Sequence, residues 1–112
     1  MSRDRDWPET AEDLVRVRFA AFRDGDADGV LSTWHPDTRP PALDLDLDRG
    51  IVWRGLQIVD RVGGRVGDDV GIVEFRASYL AHGAHGVLHE RSRFVRLGGR
   101  WVYVDGDILD RG

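Results

Sequence analysis

The sequence contains no cysteine. That absence removes disulfides, thiolate nucleophiles and cysteine-ligated zinc or iron–sulfur centres. Lysine is missing too: all 16 basic residues are arginine. A lysine Schiff base and a P-loop lysine are thereby excluded. No apolar run approaches the roughly 20 residues of a membrane span. The charged stretch Met1 to Pro8 lacks the apolar core of a signal peptide, so the expected location is the cytoplasm. A net charge of −4 suits neither nucleic acid nor an anionic membrane surface, and neither partner is expected.

What is present reads as globular. With 112 residues, 41% apolar and 32% charged, the chain is long enough for one real core but not two. We read residues 1–112 as a single domain with residues 1–9 flexible.

The clearest element is a first helix. Thr10 is a suitable N-cap, with Asp13 three residues on. In "AEDLVRVRFAAFRDG", Ala11, Leu14, Val15, Val17, Phe19, Ala21 and Phe22 cluster on one broad side. Arg18 is the misfit, a cation in the middle of that apolar face. Gly25 fits the left-handed C′ position. Asp26 fits the N-cap of a second helix, "ADGVLSTW", which Pro36 ends.

The same stretch contains Asp24, Asp26, Asp28 and Gly29, the opening of a calcium-loop pattern. Such a loop needs a bidentate Glu at its twelfth position, and His35 stands there. The helix–turn–helix reading accounts for each residue better, so no metal site and no cofactor are expected. Residues 36–52 are the least legible. Pro40 and Pro41 favour a loop or the first turn of a short helix. The alternation Leu43 to Asp48 fits either a strand or a short acidic helix.

From Trp53 onward the period changes to two. "WRGLQIVDRV", "VGIVEFRASYL", "VLHERSRFVRL" and "RWVYVDGDIL" are separated by short Gly-rich turns. Helices first and a four-stranded antiparallel meander after make an α+β domain, with the helices packed on one sheet face.

"TWHP" at 33–36, "WRGLQI" at 53–58, "GIVEFRASY" at 71–79, "ERSRF" at 90–94 and "GRWVYVDG" at 99–106 resemble the YchJ-like domain, a bacterial family without an assigned activity. The resemblance runs from about residue 10 to residue 107. It implies the cystatin-like or nuclear-transport-factor-two-like cone, in which a curved sheet wraps around helices and often encloses a pocket. That superfold includes ketosteroid isomerase, dehydratases, cyclases and many non-enzymatic binding or dimerisation modules. Family members usually carry a cysteine-rich zinc motif resembling the C-terminal tail of the SecA ATPase. With no cysteine here, nothing about zinc or recruitment through such a tail carries over.

Strand periodicity places Leu88, Glu90, Ser92 and Phe94 on one face, and His89, Arg91, Arg93 and Val95 on the other. On the last strand Trp101, Tyr103 and Asp105 share a face, with Val102 and Val104 opposite. The inner face therefore offers Glu90 and Asp105 against Arg18 from the helix. Isolated buried charges are costly, so an Arg18–Glu90 pair is expected. It is either a brace between helix and sheet or the polar end of a pocket.

Any site is expected between the first helix and the inner sheet face. Phe22, Trp34, Trp53, Phe75, Tyr79, Phe94, Trp101 and Tyr103 would form its walls. Its polar groups would be Arg18, His35, Glu90, Ser92 and Asp105, and its volume about 300 Å³ or more. His35 ends a helix, where the dipole favours its cation. Asp37 and Arg39 suit turn contacts, and His82 and His85 suit an exposed hairpin. Trp7 either packs on a neighbour or moves freely.

The leading functional reading is a cone that binds a small ligand or serves as a structural or dimerisation module. The alternative is an isomerase- or dehydratase-type enzyme. Glu90 or Asp105 would be its base, Tyr79 or Tyr103 its neutral donor, and His35 a further candidate for proton transfer. Val102 and Val104 suggest a homodimer through the sheet.

Overall fold

The computed structural model describes residues 7–43 and 50–111. The chain folds as two helices followed by four strands: α1 (Ala11–Asp24), α2 (Ala27–Ser32), β1 (Ile51–Gly63), β2 (Val70–Ala81), β3 (Ala84–Leu97) and β4 (Arg100–Arg111). The strands pair in chain order as one antiparallel meander. This is the α+β architecture the periodicity indicates. Most of the Leu/Asp alternation, residues 44–48, lies outside the described residues. Among the described residues no helix is long and apolar enough to cross a membrane.

Local signals explain the helices. The Thr10 side chain accepts the backbone N–H of Asp13 at 3.1 Å, and the Gly25 backbone closes the C-terminus against Ala21 and Phe22. The face that α1 buries is Ala11, Leu14, Val15, Arg18 and Ala21. Arg18 thus sits where the helical period puts it, whereas Val17 turns outward and is exposed. In α2 the Asp26 side chain accepts the N–H of Gly29, while Asp24 meets Arg23. The aspartates of the calcium-like pattern therefore serve ordinary roles at helix ends.

The second helix ends two residues earlier than expected. Pro36 disfavours helical geometry at His35 before it, and the helix closes in a turn at Thr33. Tyr103 then donates its N–H to the Thr33 carbonyl, and His35 donates to the Tyr103 carbonyl, each at 2.8 Å. Trp34 is thereby bridged in parallel to the edge strand β4.

Two hairpin turns, His82–Gly83 and Gly98–Gly99, hold both central residues at positive φ. This primed turn geometry matches the twist of antiparallel strands. The ladders also slip by one residue at four places. The extra residues are Arg54 and Val59 in β1, and Val104 and Leu109 in β4. Such bulges bend a strand and increase its twist. The sheet consequently wraps around α1.

The core fills one end of this wrap. Ala11, Leu14, Val15, Val73, Phe94 and Trp101 are buried there, with Trp7, Leu56, Ile58, Phe75 and Tyr103 packed against them. Trp7 is held in place: its indole donates to the Trp101 carbonyl, and the Trp101 indole returns a bond to the Glu9 carbonyl, both at 2.9 Å. Residues 7–9 are thus tied to β4 rather than loose. Val102 is buried within the single chain, whereas Ile108 and Leu109 further along β4 are exposed.

Candidate functional site

Beyond the core, α1 and the inner sheet face diverge and leave a cavity of about 230 Å³, partly open to solvent. Helix α1 supplies Val15, Arg18, Phe19 and Phe22, and the segment after α2 supplies Trp34. The sheet supplies Trp53, Phe75, Ala77, Leu88, Glu90, Ser92, Phe94 and Tyr103. The walls are predominantly aromatic. Phe19 meets Trp53 edge-on at 6.3 Å, and Trp34 meets Tyr103 edge-on at 5.1 Å between ring centroids. The volume lies below the usual range for drug-sized ligands, yet exceeds the roughly 150 Å³ that suffices for benzene.

Arg18 and Glu90 are the charged residues of this lining. Arg18 is 8% exposed. Its Nη1 donates to Thr33 Oγ1 at 2.7 Å and to the Val30 carbonyl at 3.3 Å. Its guanidinium carbon lies 4.2 Å from the Tyr103 ring centroid, 5.0 Å from that of Trp34 and 5.8 Å from that of Phe22. Burial pulls its pKa down to about 10, opposed by the nearby Tyr103 and Glu90. Arg18 is therefore a cation at neutral pH, stacked on aromatic faces rather than saturated with acceptors.

Glu90 does not bond to Arg18, contrary to the expected pair. Its Oε2 accepts from Ser92 Oγ at 2.6 Å and from the Tyr103 hydroxyl at 3.1 Å. Tyr103 therefore stands between the two charges, with its ring against the guanidinium and its hydroxyl on the carboxylate. Burial, the charge of Glu90 and the bond to it push the Tyr103 phenol above its ordinary pKa. Gly106 pairs with Ser92 across the strands. A Cβ built at Gly106 would stand 2.3 Å from Glu90 Oε2, so glycine is required for the carboxylate to lie there.

On these two charged residues, three polar groups have no protein partner among the described residues. They are the Nε and Nη2 donors of Arg18 and the Oε1 acceptor of Glu90. The indole Nε1 of Trp34, by contrast, is fully buried without a hydrogen bond. Orphaned donors of this kind are rare in folded proteins.

Several expected site residues lie elsewhere. Asp105 faces the opposite side of the sheet. The bulge at Val104 inverts the alternation, so Tyr103 pairs with Phe94 inside while Asp105 pairs with Arg93 outside. There Arg93 reaches both Asp105 and Asp107. Trp101 belongs to the core rather than the cavity. Tyr79 does not line the cavity and instead meets Trp53 at 5.2 Å. His35 sits in the turn outside it, where its Nδ1 accepts the N–H of Asp37 at 3.0 Å and its carbonyl accepts those of Thr38 and Arg39.

The sequence reading missed Val15, Phe19, Ala77 and Leu88 in the lining, and Thr33 as the partner of Arg18. Leu88 shares the Glu90 face by simple alternation, so that signal was available. Phe19, next to Arg18, required knowing how far the sheet wraps. On the outer face Glu74 meets His89 at 2.8 Å and Arg91 at 2.9 Å, and Arg91 also reaches Asp60 at 3.1 Å. Among the described residues no three His, Asp or Glu gather in a metal-holding cluster.

A family model described as "YchJ, middle NTF2-like domain" matches residues 10–106. A UPF0225 protein of Streptomyces coelicolor is 54% identical over 101 residues, spanning 90% of this chain and 77% of that protein. A UPF0225 protein of Chromobacterium violaceum is 47% identical over 98 residues, 87% of this chain and 73% of the relative. The solution structure of RPA3114, a SEC-C motif containing protein from Rhodopseudomonas palustris, superposes with a TM-score of 0.78 at 28% identity, covering 91% of this chain and 80% of that one. A crystal structure of a SEC-C motif containing protein from Psychrobacter arcticus shares the fold, with a TM-score of 0.71 at 24% identity over 91% of this chain and 62% of that one. The chain thus belongs to the YchJ-like family, as its middle, NTF2-like domain.

Proposed function

We propose that this domain binds a small, largely apolar molecule, about the size of one substituted ring, in the cavity between α1 and the sheet. The observation that carries the reading is the pairing of aromatic walls with two charged residues whose hydrogen-bonding capacity the protein leaves partly unused. A plain core would bury neither a cation nor a carboxylate at such a place. Binding is favoured over isomerase-type catalysis because the neutral donor such a reaction needs is already engaged. The Tyr103 hydroxyl donates to Glu90, and Tyr79 is not part of the lining.

Indole N–H resonances test the reading. Trp34 and Trp53 line the cavity, while Trp7 and Trp101 pack elsewhere. Benzyl alcohol should move the Trp34 and Trp53 signals and leave the other two in place, with affinity on the order of a millimolar for so few atoms. Ala77→Met, which fills the cavity floor, should abolish the shifts while leaving the Trp101 resonance unchanged. Absence of shifts, or shifts that survive Ala77→Met, would refute the proposal.

A further inference from the structure

We propose that the cavity selects electrically neutral ring compounds carrying both a hydrogen-bond acceptor and a donor, such as aromatic or cyclic amides, over anions or cations of the same size. This deepens the small-molecule reading above and rests on it.

The argument begins with charge. The lining contributes one guanidinium and one carboxylate, Arg18 and Glu90, and no other charged side chain. The occupied cavity is therefore balanced only if the ligand itself carries no net charge. An anion would meet Arg18 but leave Glu90 as a second negative charge in the same aromatic enclosure. A cation would reverse the problem. In surroundings of low polarity an uncompensated charge costs several kcal/mol.

Hydrogen-bonding capacity points the same way. Arg18 carries only donors, and its Nε and Nη2 have no partner among the described residues. Glu90 when ionised only accepts, and its Oε1 is likewise unpartnered. A ligand that accepts from the first and donates to the second completes both. An amide does so with its carbonyl oxygen and its N–H while remaining neutral. Tyr103 fixes the spacing, since its ring lies against the guanidinium and its hydroxyl holds the other carboxylate oxygen. The ring of the ligand meets Phe19, Trp53 and Phe75, and edge-on or offset ring contacts favour an aromatic or planar partner. The volume admits a ring plus a small polar substituent.

Three matched probes test the selection: benzamide, benzoate and benzylammonium, titrated at pH 7 against the Trp34 and Trp53 indole signals. Benzamide should bind about tenfold or more tighter than either ion, and tighter than toluene. Glu90→Gln leaves Arg18 alone and should turn the order of the two ions toward benzoate. Arg18→Met should turn it toward benzylammonium. The Trp7 and Trp101 signals report that each variant keeps its fold. An ion that outbinds benzamide in the unmodified protein would overturn the proposal, as would an order of ions that neither variant changes. Equal binding of toluene, which offers neither a donor nor an acceptor, and benzamide would also overturn it while leaving the small-molecule reading intact. Failure of all four probes would instead overturn the binding reading itself.

Discussion

Replacing Arg18 with methionine separates a structural brace from a functional cation. Burial lowers the pKa of Arg18 from its ordinary value to about 10. At about 1.4 kcal/mol for each tenfold change, its surroundings disfavour the charge by roughly 3 kcal/mol. Against this stand the stacked rings, worth about 0.5–2 kcal/mol for the nearest. Two hydrogen bonds to neutral acceptors add about 1 kcal/mol each. The two sides nearly cancel. Removal strands no hydrogen-bonding partner: Thr33 Oγ1 already donates to the Val30 carbonyl at 2.7 Å, and the Glu90 charge keeps its bonds from Ser92 and Tyr103. Methionine keeps most of the packing volume along α1. We therefore expect Arg18→Met to change unfolding stability by no more than about 1 kcal/mol in either direction. Urea titration followed by tryptophan fluorescence and far-UV circular dichroism measures this, read as a shift in midpoint at constant slope. A loss of about 3 kcal/mol or more, typical of breaking a buried ion pair, would refute the reasoning and make Arg18 a brace between helix and sheet.

Two further outcomes follow from the polar end of the cavity. Gly106→Ala should push the Glu90 carboxylate off Ser92 and Tyr103 and cost about 2–4 kcal/mol, the value of two bonds to a charged acceptor plus a stranded, fully buried Ser92 hydroxyl. Unchanged urea midpoints and unchanged benzamide affinity would show that the carboxylate is not held there. In a spectrophotometric titration at 295 nm, the Tyr103 phenol should ionise well above its ordinary pKa of 10.0, since a raised pKa keeps the proton on at higher pH. Glu90→Gln removes the adjacent charge and should bring the transition down, with burial still holding it above 10.0. A Tyr103 transition at the ordinary value in the unmodified protein would contradict the placement of the ring.

Residues whose environment is set by their immediate neighbours were legible in the sequence. Thr10, Gly25 and Asp26 announce the ends of the helices, and the paired glycines announce the hairpins. Alternation correctly put Glu90, Ser92 and Phe94 on the inner face. What escaped was non-local or depended on count. Nothing in "WVYVDGD" marks Val104 as a bulge, since bulges are relations between strands, and that single extra residue carries Asp105 to the other side. Alternation also gives a face but no position along α1, so it does not tell Trp101 at the core end from Leu88 at the cavity end. The Arg18–Glu90 pair failed for a related reason. Both groups face the same interior, but Tyr103 comes between them, and an aromatic spacer leaves no trace in the periodicity.

All four irregularities of the ladder lie in β1 and β4, the two edge strands, while the β2–β3 ladder pairs residue for residue from end to end. An edge strand presents unpaired N–H and C=O groups that can template the addition of another chain. Here an incoming straight strand would lose register after a few residues on either side, at Arg54 and Val59 or at Val104 and Leu109. Trp34 already occupies part of the β4 edge near Tyr103. The curvature that shapes the cavity thus also guards against edge-to-edge aggregation. Removing a bulge to flatten the sheet would sacrifice the cavity and this protection of the edges together.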